Sequence, residues 1–308
     1  MADPWSRDGD WLRCALHAHT TASDGELEPA GLVAHYERAG YDVLATTDHW
    51  HVTEVDSTAR LLVIPSVELN CVLPGARDGH VLGFGVHATP DELRGLAARY
   101  AGLEETGDWI RDHGGVAYLA HPYWTGVVPG ALELPESVTG IEVWNAGCEL
   151  EVGRGLSCVH WDELLESGRL CPAIAADDSH HPGFDSDLAR TWVRAAERTP
   201  AAVLAALAEG AFYSSAGPLL HDVRRDGDDA FLVRCSPCRQ VTLVSGKSIG
   251  AAVNAGRLGY RHAGEVLEED AAGLVVAARL VVPPAARHVR VEVTNTAGGK
   301  AWANPVPV

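Results

Sequence analysis

Histidines, aspartates and glutamates recur in this sequence where apolar runs stop, and there they can act together. His17-Ala18-His19 ends one such run. Residues two apart in an extended chain project to the same side, so these two imidazoles converge. Asp24 follows in Ser23-Asp24-Gly25, Asp48-His49 ends a second run, and Glu68 ends a third. His80 opens the next run, His121-Pro122 ends a later one, and Asp178-Ser179-His180 ends the last. One histidine at a strand end is ordinarily a satisfied structural residue. So many imidazoles and carboxylates, desolvated together and unpaired, would be costly. Binding divalent cations removes that cost. Neutral imidazole suits zinc, iron and manganese, and carboxylates add charge and bridge ions. The chemistry expected is hydrolysis by water that bound cations acidify, with the cations neutralising charge as it develops.

The elements that must position these residues alternate between strand and helix. Strand-like runs are LRCALHAHT (12–20), YDVLATTDH (41–49), LLVIPSVEL (61–69), HVLGFGV (80–86), VAYLAHP (116–122), GIEVWN (140–145) and CPAIAADDSH (171–180). Most are continuously apolar rather than alternating, as in parallel strands covered on both faces. Helical patterns span 29–40, 89–102, 106–115, 160–168 and 199–210. Pro29 opens the first and Gly40 closes it; Thr89-Pro90 followed by acids opens the second. This alternation predicts an α/β barrel or a doubly wound sheet, and in parallel barrels the C-terminal strand ends assemble the active site.

The pattern changes after Tyr213, where SSAGPLL (214–220) reads as a hinge. Short alternating runs follow. Val289, Val291 and Val293 alternate with Arg290, Glu292 and Thr294, which predicts a half-buried antiparallel strand. Residues 1–217 therefore read as a barrel domain and 218–308 as a small β-sandwich. The 308 residues carry a net charge of −18 and no dense Lys/Arg cluster, so nucleic acid and anionic membranes are not expected partners. Bound cations would reverse the field locally, so an anionic small substrate is not excluded. Seven dispersed cysteines point to reduced thiols and the cytosol, and the Cys235–Cys238 pair lacks the second pair that a structural zinc site needs. The N-terminus lacks the basic start and apolar core of a secretory signal. GxxxxGK does not occur, against triphosphate motors, and no GxSxG lies between a strand pattern and a helix pattern as a serine-hydrolase elbow requires.

HAHTTASDG, TTDH, VEL, GHVLGFG, AHP and DDSH, in this order across residues 12–217, resemble the PHP (polymerase and histidinol phosphatase) superfamily. FYSSAGP at 212–218 and the C-terminal stretch 289–305 resemble a branch with an appended β-domain. The resemblance implies a distorted (β/α)7 barrel of PHP type holding two or three ions of zinc, manganese or iron. It implies that His17, His19, Glu68 and Asp178 hold a first ion and that Glu68, His80 and His121 hold a second. Asp24, His49 and His180 would hold a third. It further implies a metal-dependent phosphoesterase acting on a small phosphomonoester or diester, with Asp178 and Glu68 central to catalysis. The proton for the leaving group is expected from metal-bound water or from a neighbouring residue such as His181, which flanks the DxH motif. An amide, carbamate or ester hydrolase with the same site is the alternative, and a non-catalytic regulatory module is a third reading.

Some neighbours have two readings. Asp48 either orients a ligand or caps a turn. Asp177 orients a ligand or is solvated, and Asn145 reaches substrate or serves a turn. Glu142 and Trp144 share a strand face, with core packing expected for Trp144. Trp50 and His51 are candidates to line the mouth. Arg154 and Arg190 are candidate phosphate clamps against the commoner surface role. His35, His113 and His160 are expected at the surface.

Overall fold

The computed structural model describes residues 1–256 and 260–308, with backbone alone for 76 and 77. Seven strands form the frame of the first region: β1 (Asp10–Ala15), β2 (Val43–Thr46), β3 (Leu62–Leu73), β4 (Ala76–Phe84), β5 (Val116–Ala120), β6 (Val138–Asn145) and β7 (Ala173–Ala176). They neighbour one another in that order. The two ends of this run meet. Ala18 and Ser179, just beyond β1 and β7, form a parallel bridge, and the Asp178 N–H donates to the His17 carbonyl at 3.0 Å. β2 and β7 are buried along their whole length, which is why both read as unbroken apolar runs.

The helices are α1 (Pro29–Arg38), α2 (Pro90–Ala97), α3 (Leu103–Asp112), α4 (Pro122–Thr125), α5 (Ala146–Val152), α6 (Cys158–Glu166) and α7 (Pro200–Glu209). α2 starts in a capping box between Thr89 and Glu92, worth about 1 kcal/mol. Thr199 caps α7 through the Ala202 N–H. α4 and α5, each a short turn placed directly after a strand, carry no amphipathic repeat long enough to announce them.

The sheet is not parallel throughout. β1, β2 and β3 run parallel, as do β5, β6 and β7, but β4 is antiparallel to both of its neighbours. A tight hairpin with Gly75 at φ 74° joins β3 to β4. Continuous burial does not encode strand direction, so the apolar run gave no sign of the reversal. The reversal has a consequence for the site. His80 lies mid-strand, opposite Asn70 of β3 and Ala120 of β5, so it arrives at the same mouth as the C-terminal ends of its neighbours.

Beyond β7 the chain adds β8 (Arg190–Ala195) and β9 (Phe212–Ser215), then β10 (Leu220–Asp226), β11 (Ala230–Cys238), β12 (Gln240–Val244), β13 (Gly250–Asn254), β14 (Arg261–His262), β15 (Gly264–Glu269), β16 (Val275–Val281), β17 (His288–Thr294), β18 (Lys300–Ala303) and β19 (Val306–Pro307). β8 pairs antiparallel with β1 and β9 with β8, and β18 pairs with β9. The first sheet thus runs on through β17, β12 and β13 into the C-terminal region. A second sheet, β10-β11-β16-β15, packs over that extension around Phe231, Val241, Leu280 and Val291. The two faces make a sandwich, and one of them is continuous with the frame that carries the site.

β17 departs from expectation. Its valines face the sandwich core, but its polar face is buried too. Arg290 lies over the Trp161 ring at 4.7 Å and donates to Asp162 of α6 at 2.8 Å and to Glu292 at 3.0 Å. The alternation is real; α6 covers the side that would otherwise face water, and ion pairing compensates the buried charge.

Candidate metal centre

The nine candidate ligands come from six places in the chain and gather at one cavity of about 600 Å³; seven of them line it, and His17 and His19 lie buried against Glu68 and Asp178 of that lining. β1 delivers His17 and His19, both fully buried. The turn after them brings Asp24 back over His19. Asp48 holds that turn: it accepts hydrogen bonds from the Thr20 N–H at 2.7 Å, the Thr20 hydroxyl at 2.8 Å and the Ser23 hydroxyl at 2.7 Å, and from Thr53. Of the two readings for Asp48, the turn cap is the one observed. Its pKa is lowered: burial opposes ionisation, and these donors outweigh it.

The first group is His17, His19, Glu68 and Asp178. His17 Nε2 lies 3.2 Å from Glu68 and 3.1 Å from Asp178, and His19 Nε2 lies 3.2 Å from each. The second centres on the other oxygen of Glu68, with His80 Nδ1 at 2.9 Å and His121 Nε2 at 3.2 Å. His49 Nδ1 also approaches Glu68, at 3.4 Å. In the third group Asp24 stands 3.5 Å from His180 and 3.7 Å from His49. His19 borders this group as well, its Nδ1 3.4 Å from Asp24. Glu68 and His19 therefore connect adjoining groups, and the arrangement has room for more than one cation.

Glu142 was not among the expected site residues. It is fully buried. One oxygen accepts the His17 Nδ1–H at 2.9 Å; the other accepts the His121 N–H and the Asn145 amide, each at 2.9 Å. Putting the His17 proton on Nδ1 leaves the Nε2 lone pair facing the first group. Asn145 also donates to Asp178 at 3.0 Å and caps α5 through the Cys148 N–H at 2.8 Å. The only sign in the sequence was a carboxylate inside an apolar strand. Cys148, in the same cavity, was likewise unforeseen; its sulfur is 3.9 Å from Asp178, and burial followed by Asp178 pushes its pKa up.

The residues fit divalent cations. His17 Nε2, His19 Nε2, His80 Nδ1 and Asp178 Oδ1 are buried without an aligned hydrogen bond, although each lies near an oppositely charged or polar partner. These atoms converge on shared points rather than pair off. Unsatisfied buried polar atoms cost about 1–3 kcal/mol each, and a cation at the shared point would satisfy several at once. In the cation-free site, burial opposes charge on His17, but Asp178, Glu68 and Glu142 outweigh it and raise its pKa well above the usual range. His19 rises to about 9: burial again opposes charge, and Asp178 and Glu68 outweigh it. Glu68 and Asp178 are held well below the carboxylate range despite their burial, Glu68 mainly by His17 and His80, Asp178 mainly by His17 and His19. A cluster that attracts protons this strongly attracts cations for the same reason, and the two compete.

The backbone at the site is strained. His121 has φ 26° and Asp178 φ 55°, left-handed conformations that cost non-glycine residues of order 1–3 kcal/mol. Gly147 permits close packing beneath them: a Cβ there would sit 2.8 Å from the Asp178 carbonyl oxygen. Asp177 accepts the N–H groups of 187, 188 and 189 and the Tyr36 hydroxyl, so it ties down the loop that follows.

Other expected residues lie elsewhere. His181 lines the cavity but is exposed, 3.5 Å from Glu26. Arg154 lies over Tyr123 and Arg190 beside Asp187, and neither lines the cavity. Trp50 donates to Asn70 at 2.7 Å, and the Asn70 amide meets His80 at 3.0 Å. His51 is exposed. Trp144 packs on Trp302, as core packing predicts. His160 is not at the surface: it is buried against the Val127 carbonyl at 2.9 Å. His35 and His113 are half-buried, against Ser186 and Trp109. Helical spacing alone did not show which face the neighbouring elements would cover.

No protein-family profile matches the chain, and no curated protein matches it. Solved structures do. A two-domain protein containing a predicted PHP-like metal-dependent phosphoesterase from Bacteroides vulgatus superposes with a TM-score of 0.52 at 16% identity, over 94% of this chain and 91% of that one. An amidohydrolase from Chromobacterium violaceum gives 0.39 at 17% identity, over 56% of this chain and 89% of that one. A lesion-specific endonuclease from Pyrococcus furiosus gives 0.45 at 12% identity, over 65% of this chain and 56% of that one. At these identities the likeness is one of fold, and the first match spans both regions of the chain.

Proposed function

We propose, from the premise of a PHP-like fold, that this chain is a metal-dependent phosphoesterase acting on a small molecule. The observation that carries the reading is the set of adjoining ligand groups joined through Glu68 and His19 in one cavity. Two or three divalent ions of zinc, manganese or iron, when bound there, supply Lewis acidity and acidify water.

The chain's own residues do the rest. Glu142 keeps the His17 proton on Nδ1. Asn145 holds Asp178 and Glu142 in register. His121 and Asp178 present their side chains from left-handed backbone conformations. Water adds to phosphorus and the bond from phosphorus to the leaving oxygen breaks. One proton of the water goes to the released alcohol and the other stays with phosphate. His181, which lines the cavity, is the proposed donor of a proton to the leaving oxygen. The acidic chain favours a small molecule over nucleic acid. A second reading, hydrolysis at carbon of an amide, carbamate or ester, is favoured by one observation: among the described residues no Lys or Arg lines the cavity. A neutral substrate needs none.

The test is release of inorganic phosphate from a panel of phosphomonoesters and diesters by protein loaded separately with Mn(II), Zn(II) or Fe(II). Metal-dependent release that disappears in Asp178→Ala is the expected result. Silence of every loaded form overturns the phosphoester reading and moves the panel to amides and carbamates.

A further inference from the structure

The floor of the cavity is ionisable, and part of its wall is apolar. Trp124, Leu150 and Phe184 line it above the candidate ligands. The Trp124 ring stands 5.0 Å from the His121 ring and 6.0 Å from that of His80, so it borders the floor beside Glu68. Its Nε1–H donates to Glu151 at 3.0 Å, which sets the indole plane. Leu150 is 60% exposed and Phe184 84%, apolar surface left bare at the rim of a polar site.

Charge is distributed just as unevenly. Among the described residues the rim has no Lys or Arg, and its carboxylates are Glu151 and Asp185. Asp185 is occupied by Ser179 and by the N–H groups of His180 and His181. His181 faces Glu26.

Resting on the phosphoesterase reading, we infer that the leaving group is an uncharged aromatic alcohol, seated against Trp124 and covered by Phe184. An uncharged ring gains apolar and aromatic contact with these walls. A leaving group with a second anionic centre would lose water and meet carboxylates, with no described cation to pair with it. The scissile end belongs to the floor and the distal end to the walls, so the walls set which ester is accepted.

The test uses the full chain loaded with Mn(II) and a matched pair of esters, para-ethylphenyl phosphate and para-(carboxymethyl)phenyl phosphate. The two differ in distal charge while their leaving oxygens are alike. The neutral ester should show a KM lower by about tenfold or more. Trp124→Ala should raise that KM about tenfold, and Phe184→Ala, on an exposed residue that folding does not need, should raise it severalfold. Leu150→Lys should narrow the preference by supplying a partner for the carboxylate. Equal KM values, or preference for the charged ester, overturn the proposal. If neither ester is hydrolysed, the panel with all three metals decides the phosphoester reading, and calorimetry with the two corresponding arylphosphonates decides about the walls. Tighter binding of the neutral phosphonate supports them; equal binding or none overturns them.

Discussion

Replacing Glu142 by glutamine alters one buried group without touching any candidate ligand atom. The carboxylate serves three donors, the His17 Nδ1–H, the His121 N–H and the Asn145 amide, each at 2.9 Å. In Glu142→Gln the amide oxygen can still accept from His121 and Asn145. The new NH2 then faces His17 Nδ1, and two donors cannot pair. His17 must move its proton to Nε2, which points at Glu68 and Asp178 from 3.2 and 3.1 Å. A cation in the first group would meet a proton where it needs a lone pair. The lost bond was charge-assisted, worth about 1.5–3 kcal/mol. At about 1.4 kcal/mol per decade, that is a ten- to hundredfold loss of affinity for the most tightly held cation. Chelator competition with Zn(II) or Mn(II) measures it directly. Thermal unfolding of the cation-free variant shows whether the frame is intact. An affinity within about twofold of the unsubstituted chain, with the frame intact, would refute the tautomer argument.

Four further outcomes rest on the same contacts. The cation-free protein should lose stability as pH rises from about 6.5 to about 9. His19 has its pKa raised to about 9 in the fold, so its contribution is complete below the unfolded value and lost as pH passes through the folded one; flat unfolding temperatures over that window would contradict it. Cation affinity should rise over the same window, as protons leave the ligands, and isothermal titration at several pH values checks it. Arg290→Met should cost about 3 kcal/mol in denaturant unfolding, because Asp162 loses its partner and Glu292 keeps only Lys300; a change below about 1 kcal/mol would mean the ion cluster contributes little to the join between α6 and β17. Asn145→Ala should remove the α5 cap, about 1–2 kcal/mol, and also weaken cation binding by freeing Asp178 and Glu142; loss of stability alone would confine Asn145 to capping.

Much of the site was readable along the chain because its logic is local. Two histidines at i and i+2 of a strand must share a side, so His17-Ala18-His19 declared a converging pair before any fold was known. Ligand types at successive strand ends implied a common mouth, since parallel strands present corresponding ends together. The helices that open with Pro29 and Thr89-Pro90 were legible for a similar reason: the signals that open a helix lie within its first turn.

What tertiary structure alone decided concerns partners far apart in sequence. Glu142 lies 125 residues from the His17 proton it holds. Nothing in GIEVWN distinguishes a carboxylate that orients a ligand from one that merely shares a strand face. His80 reaches the site because β4 runs backwards, and strand direction leaves no mark on a run buried on both faces. The polar residues of β17 alternate as an exposed face would, yet α6 covers them. A residue's type and period limit what it can do; which groups stand within three ångströms of it is set by the long-range packing that the whole chain must satisfy at once.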